Sequence, residues 1–269
     1  MELNKYPFLF EKLLFEVLRE NNLKSLSDCE KKYNELQIEA IDKFRYKYFK
    51  NFNNNESIKK EEYSSYYVDE SEISRINSQL LDLFDDIKNC TNDLKLLTAN
   101  LYLFHPYINN PILEKKTFNG DVHSTYFQTF SDWNYSVYAS CCFEKLYNFW
   151  DRIGDALALY LRLEIKPFSI NFDSVINYLS KENNFNQNQN FIFLKSFKDE
   201  KYRHFNEYRK NIVHYKQYET MYKNHFLMNK NALEENWVFK NNLPEYFKAQ
   251  LLLCIEGYKN TFELINNNL

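Results

Sequence analysis

The chain has 269 residues, a formal net charge of -3 and a pI near 6.0. This length suffices for one large domain or two small ones with a hydrophobic core. The slightly acidic balance excludes recruitment of nucleic acid by a global positive field, so any RNA recognition needs a local basic cleft. With only three glycines and five prolines, the composition predicts long helices joined by polar loops.

The first 69 residues are predicted to form two helices and a linker. Apolar residues at helical spacing predict a helix over residues 8–20. A second helix is expected over residues 27–49, with Ser27-x-x-Glu30 as a capping box. An Asn-, Lys- and Glu-rich run then predicts a loop. We therefore assign residues 1–50 to an N-terminal helical extension and residues 51–69 to a polar linker.

Two long helices are predicted in the middle of the chain. The first opens at Ser71 and ends by His105, with apolar residues every three to four positions. Residues 107–132 lack this periodicity and are interpreted as an irregular insertion, which is compatible with a short hairpin. The next helix is expected over residues 133–163, where a wide apolar face indicates a central helix of a bundle.

The last third is predicted to be helical as well. A short helix over residues 173–179 precedes an Asn/Gln-rich turn over residues 183–190, and a longer helix follows over residues 191–218. Trp237 is placed in a loop, and a final helix is expected over residues 243–265 because a proline suits its first turn. The elements add up to an all-α fold, a bundle of four main long helices behind the N-terminal extension.

Several function classes lack their sequence signals. The five cysteines are odd in number and form no CxxC, which favours reduced thiols in a cytoplasmic protein. The N-terminus does not have the pattern of a signal peptide, and no apolar run approaches the length of a membrane span, so no membrane partner is expected. HExxH and glycine-rich phosphate loops are absent, so neither a metal site nor a cofactor is predicted.

Arg209 and His214 are the candidate catalytic residues. A guanidinium that is always charged binds phosphate, and an imidazole that titrates near neutrality moves protons. Together they suggest RNA cleavage without a metal, with His214 as general base or acid and Arg209 stabilising the phosphate. Asn211 would orient the histidine or donate a hydrogen bond. The competing interpretation is a solvated arginine and a surface histidine on an amphipathic helix.

Helical geometry constrains this site. At 100° per residue, Asn211 and His214 are about 60° apart, whereas Arg209 is about 140° from His214. One straight helix therefore does not bring the arginine and the histidine together. Either the long Arg209 side chain reaches around, or a symmetric dimer supplies a second copy of both residues. We therefore expect a homodimer.

Two acidic residues form a second candidate group. Asp151 and Asp155 are separated by one helical turn, and one of them is predicted to hold the guanidinium of a neighbouring helix. The alternative is a charged helix surface beside Arg152. The pair lacks a histidine or third acid at ligand spacing, so it does not predict a metal site.

The run from Arg209 to His214 resembles the R-x4-6-H signature of the HEPN superfamily. Residues 147–157 are similar to the first core helix of bacterial HEPN domains, with the Cthe-type branch most similar. This resemblance implies that residues 70–269 form a HEPN-like helical bundle with the insertion 107–132. The sequence departs from the family in two places, because Lys210 directly follows the arginine and Tyr215 directly follows the histidine.

The resemblance also implies a function. Many HEPN proteins are dimeric ribonucleases of defence or toxin–antitoxin systems, with the motif arginine and histidine, here Arg209 and His214, as catalytic residues. RNA would be the substrate, and an antitoxin or operon partner is expected. Lys210, Tyr215, Asp151 and Asp155 would support the site. Other members have lost catalysis, so the alternative is a HEPN scaffold that serves as a nucleotide- or RNA-binding or protein-interaction module.

Overall fold

The computed structural model describes residues 6–29, 31–49, 70–110, 113, 115–118, 121–124, 129–182, 184–214 and 237–269. The predicted polar linker lies outside these ranges. Within them the chain is almost entirely helical, which confirms the all-α prediction. None of the helices in these ranges is long and apolar enough to cross a membrane.

The N-terminal helices lie close to their predicted bounds. Helix α1 covers Tyr6–Glu20 and α2 covers Lys31–Phe49. The predicted capping role of Ser27 is wrong, because Leu26–Asp28 form a 3-10 turn and α2 begins at Lys31. Leu26 is buried in this turn and its amide donates to the Thr91 hydroxyl at 3.2 Å, so burial rather than the local cap fixes the chain here.

Two long helices and a hairpin follow. Helix α3 covers Glu70–Phe104 and α4 covers Phe130–Tyr160. Between them, strand β1 (Lys115–Phe118) pairs antiparallel with β2 (Asp121–Ser124), so the hairpin compatible with the insertion is present.

Helix α4 starts three residues earlier than predicted because Thr129 and Asp132 form a capping box. The Thr129 hydroxyl accepts from the Asp132 amide at 3.1 Å, and the Asp132 carboxylate accepts from the Thr129 amide at 3.0 Å. The sequence Thr-x-x-Asp is the signal that predicts such a start.

The remaining helices are α5 (Phe172–Leu179), α6 (Gln189–Phe197), α7 (Arg203–His214) and α8 (Leu243–Asn268). Residues 237–241 are also helical, so the prediction that Trp237 lies in a loop is wrong. The predicted single helix over residues 191–218 is interrupted, because Lys198–Tyr202 form a π-helical segment between α6 and α7. Residues 215–218 lie outside the described residues.

The chain divides into two compact units. The first comprises Met1–Ser27, Cys90–Asn148 and Glu200–Cys254, and contains α1, the hairpin and α7. Helices α3, α4, α7 and α8 all contribute fully buried residues to its core, which includes Leu94, Tyr135, Phe143, Phe205 and Phe247.

The second unit comprises Asp28–Asn89, Phe149–Asp199 and Ile255–Leu269. Its core centres on Trp150, which is fully buried and stacks on Phe197 at 3.8 Å between ring centroids. Gly257 allows this packing, since a Cβ at this position would lie 2.3 Å from the Trp150 ring. Helices α3, α4 and α8 each contribute residues to both units.

Candidate functional site

Helix α7 carries the predicted catalytic residues. Arg209 and His214 both lie on this α-helix, so the backbone retains the angular separation of about 140° expected from the sequence. The side chains of Asn211 and His214, and all of Tyr215, lie outside the described residues. The described part of the site is therefore built around Arg209.

Arg209 is half-buried and stacks on an aromatic ring of α4. Its guanidinium carbon lies 4.1 Å from the centroid of the Tyr147 ring. Cation–π contacts of this kind contribute about 0.5–2 kcal/mol, more when the pair is desolvated. Tyr147 in turn stacks on the buried Tyr202 with a centroid separation of 6.3 Å. The arginine is thus held by two successive rings rather than left extended in solvent.

One hydrogen-bond donor of Arg209 is unused. The Nε atom is buried and has no hydrogen-bond partner among the described residues. Buried donors without partners are rare in folded proteins, and they are often found where a ligand or another group completes the site. The half-buried guanidinium therefore retains donor capacity beside the Tyr147 ring.

The rotation of α7 is fixed by the residues next to Arg209. Tyr208 stacks between Phe143 and Phe239, with centroid separations of 5.4 and 4.6 Å and interplanar angles of 14°. Burial raises the pKa of Tyr208, and the nearby Glu207 carboxylate adds to this rise. The phenol therefore stays neutral and acts as a packing group. With the fully buried Phe205, it determines which side of α7 faces the core.

The opposite side of α7 is exposed and carries two cations and one anion: Arg203, Glu207 and the predicted supporting residue Lys210. His204 is also exposed, but its ring lies 5.2 Å from the Tyr208 ring between centroids. Position 214 is four residues after Lys210, which places it about 40° away on the helix. The backbone position of His214 therefore belongs to this exposed face, whereas Arg209 lies at its edge toward the core.

Asp151 and Asp155 have partners in the second unit. The Arg152 guanidinium pairs with Asp155 at 2.5 Å and lies 3.6 Å from Asp86. Asp151 accepts a hydrogen bond of 3.4 Å from the amide of Phe172, the first residue of α5. Burial raises the pKa of Asp155, and Arg152 partly opposes the rise. Asp155 thus pairs with Arg152 on its own helix, and Asp151 helps to hold the start of α5.

Sequence reasoning missed the aromatic partners of Arg209. Tyr147 lies on α4, far from Arg209 in sequence, so no local spacing relates the two residues. Phe143 lies one turn before Tyr147, and this spacing indicates an aromatic face of α4 without specifying what it contacts. Within the described residues, no group of three or more His, Cys, Asp or Glu is placed to hold a metal ion.

Comparison with known proteins identifies a family that this chain matches. A family model described as HEPN_Cthe2314-like HEPN matches residues 87–268, more than half of the chain. The matched region contains α4, α7 and α8, and therefore both Tyr147 and the Arg209–His214 motif. No curated protein and no solved structure matches the chain.

Proposed function

This chain belongs to the HEPN family whose model it matches, and we propose that it is a metal-independent endoribonuclease. The observation that carries the proposal is the position of Arg209, held by Tyr147 at one edge of the exposed face of α7. This face provides the local positive charge that a protein with a net charge of -3 requires to bind RNA. A role in bacterial defence or in a toxin–antitoxin pair is part of the proposal.

In the proposed reaction, the 2′-oxygen of the RNA attacks the adjacent phosphorus while the bond to the 5′-oxygen breaks. One His214 takes the proton from the 2′-hydroxyl, and a second proton donor protonates the leaving 5′-oxygen. Arg209 stabilises the charge that develops on the non-bridging phosphate oxygens. The products are a 2′,3′-cyclic phosphate and a free 5′-hydroxyl.

We propose a homodimer because the reaction needs two proton-transfer groups and each chain offers one motif histidine. Two-fold symmetry would bring two Arg209–His214 sets to one cleft, so that one histidine acts as base and the other as acid. It would also offset the angular separation of the two residues within one helix, because the arginine of one copy would act beside the histidine of the other.

The test is cleavage of a fluorescent RNA in the presence of EDTA. We expect His214→Ala and Arg209→Ala to lower the rate by roughly 10²–10⁴-fold while the far-UV circular dichroism is unchanged. His204→Ala is the matched control, since it removes an exposed histidine from the same helix. A substrate with 2′-deoxyribose at the cleaved position should be inert. Equal rates for the wild type and His214→Ala would refute the proposal and indicate a contaminating nuclease.

The second candidate function is a non-catalytic HEPN module that binds RNA or a nucleotide. The separation of about 140° between Arg209 and His214 on α7 favours it, because one chain does not bring the two groups together. RNA binding by fluorescence anisotropy without any cleavage, weakened by Lys210→Ala, would support this candidate over the nuclease.

A further inference from the structure

Helix α1 presents an exposed face that lies outside the residues matched by the HEPN family. Its centre is Phe15, whose side chain is 69% exposed. A single exposed apolar side chain is common on protein surfaces, so the inference depends on the charged residues around Phe15. In the described part of the chain, four charged residues of α1 border Phe15: Glu11, Lys12, Glu16 and Arg19.

The order of charges on this face is self-complementary. Glu11 and Arg19 are each four residues from Phe15, on opposite sides, and they carry opposite charges. Lys12 and Glu16 lie between them in the alternating order negative, positive, negative, positive. In an antiparallel pair centred on Phe15, Glu11 of one helix lies opposite Arg19 of the other, and Lys12 of one helix lies about 3 Å along the axis from Glu16 of the other. Among the described residues, none of the four charged side chains has an ion-pair partner.

We propose that α1 pairs antiparallel with α1 of a second copy of this chain, with Phe15 at the two-fold axis. The two Phe15 rings pack on each other, and the Glu11 carboxylate of each copy pairs with the Arg19 guanidinium of the other. The ridge of residues four apart, from Glu11 through Phe15 to Arg19, is the type of ridge through which helices most often pack. Lys12 and Glu16 form a second pair of reciprocal contacts beside it.

The size of the face sets the expected strength. Helix α1 has 15 residues and is about 22 Å long, so the contact is smaller than the roughly 800 Å² per partner of a standard interface. We therefore expect a weak, concentration-dependent association. It weakens in high salt because its ion pairs are exposed. The proposal does not depend on catalysis, since α1 contains none of the proposed catalytic residues.

The experiment is sedimentation velocity of the full chain over a concentration series. The proposed HEPN dimer would give an association step of its own, so the quantity to follow is the step that depends on α1. Phe15→Lys should remove this step, whereas Phe168→Lys, which changes a phenylalanine that is 86% exposed elsewhere, should leave it unchanged. Glu11→Lys places two lysines opposite two arginines, and Arg19→Glu places two glutamates opposite two glutamates. Each should raise the dissociation constant roughly tenfold. Circular dichroism checks that every variant is folded.

The decisive sample is an equimolar mixture of the Glu11→Lys and Arg19→Glu proteins. In the mixed pair every lysine or arginine faces a glutamate, so association should return to the wild-type strength. If the wild type and Phe15→Lys sediment alike at every concentration, no association depends on α1 and the proposal is overturned. It would also be overturned if both single variants dissociate and the mixture does not recover, because the face would then bind a different partner. RNA cleavage measured on the same samples keeps this result separate from the nuclease proposal.

Discussion

The buried ion pair between Lys240 and Asp132 allows a quantitative test of the first unit. The Lys240 ammonium lies 3.3 Å from the Asp132 carboxylate, and the two side chains are 0% and 1% exposed. Asp132 also accepts hydrogen bonds from the amides of Asn109 and Thr129 at 3.1 and 3.0 Å. Lys240→Met keeps most of the side-chain volume and leaves the carboxylate buried without its cation.

The expected cost follows from this burial. Removing one partner of a buried pair typically destabilises a protein by about 3–5 kcal/mol because a charge is left uncompensated. Asp132 keeps its amide donors, so the lower value, about 3 kcal/mol, is expected. For a chain of this size that loss corresponds to a decrease in Tm of roughly 6–12 °C.

The assay is urea and thermal unfolding followed by circular dichroism, with Lys248→Met as the matched control. Lys248 lies 3.8 Å from Glu245, and the two side chains are 35% and 65% exposed, so its loss should cost less than about 1 kcal/mol. Adding Asp132→Asn to Lys240→Met should recover part of the stability, because the amide accepts hydrogen bonds without a buried charge. If Lys240→Met and Lys248→Met lower the free energy of unfolding equally, the reasoning is refuted.

Two further predictions concern the second unit. Gly257→Ala should destabilise the protein by about 1–3 kcal/mol, because the added Cβ would lie 2.3 Å from the buried Trp150 ring. Trp150→Phe removes part of that ring, so Gly257→Ala should cost less stability when it is added to Trp150→Phe. If the two substitutions lower the free energy of unfolding in urea additively, the clash is contradicted. Burial raises the pKa of Asp155, so the stability that this residue contributes is present at acidic pH and declines as pH rises from about 4 through the raised pKa. The unfolding free energy of the wild type relative to Asp155→Asn, measured from pH 3 to 7, should therefore fall as pH rises, and a constant or growing difference would exclude this sign.

Much of the fold could be predicted because its signals are local. The apolar positions of α4 recur every three to four residues, and Cys142, Leu146, Ile153 and Leu157 are all fully buried as that period requires. The breaker-poor composition likewise favoured long helices over sheets. The start of α4 could also have been predicted, because Thr129 and Asp132 are three residues apart and match the capping-box motif.

Other features depended on contacts between distant segments. The π-helical segment Lys198–Tyr202 is not visible in the apolar period. The Lys198 side chain is only 6% exposed and donates to Asn177 at 2.6 Å, a partner that tertiary packing alone supplies. The π-helical hydrogen bonding of this segment is therefore accompanied by a contact with a residue 21 positions earlier in the chain, which a short stretch of sequence does not reveal.

The sequence by itself determined the helical class, the family and the spacing of Arg209 and His214, because each is set by residue types over one or two helical turns. Only the tertiary structure decided that Arg209 stacks on Tyr147 and that Asp151 accepts a hydrogen bond from the amide of Phe172. It also decided that Phe15 lies on an exposed face of α1, although its neighbours follow a core-like period. A helix has the same apolar period whether its face meets the core or solvent, so exposure depends on how the rest of the chain packs.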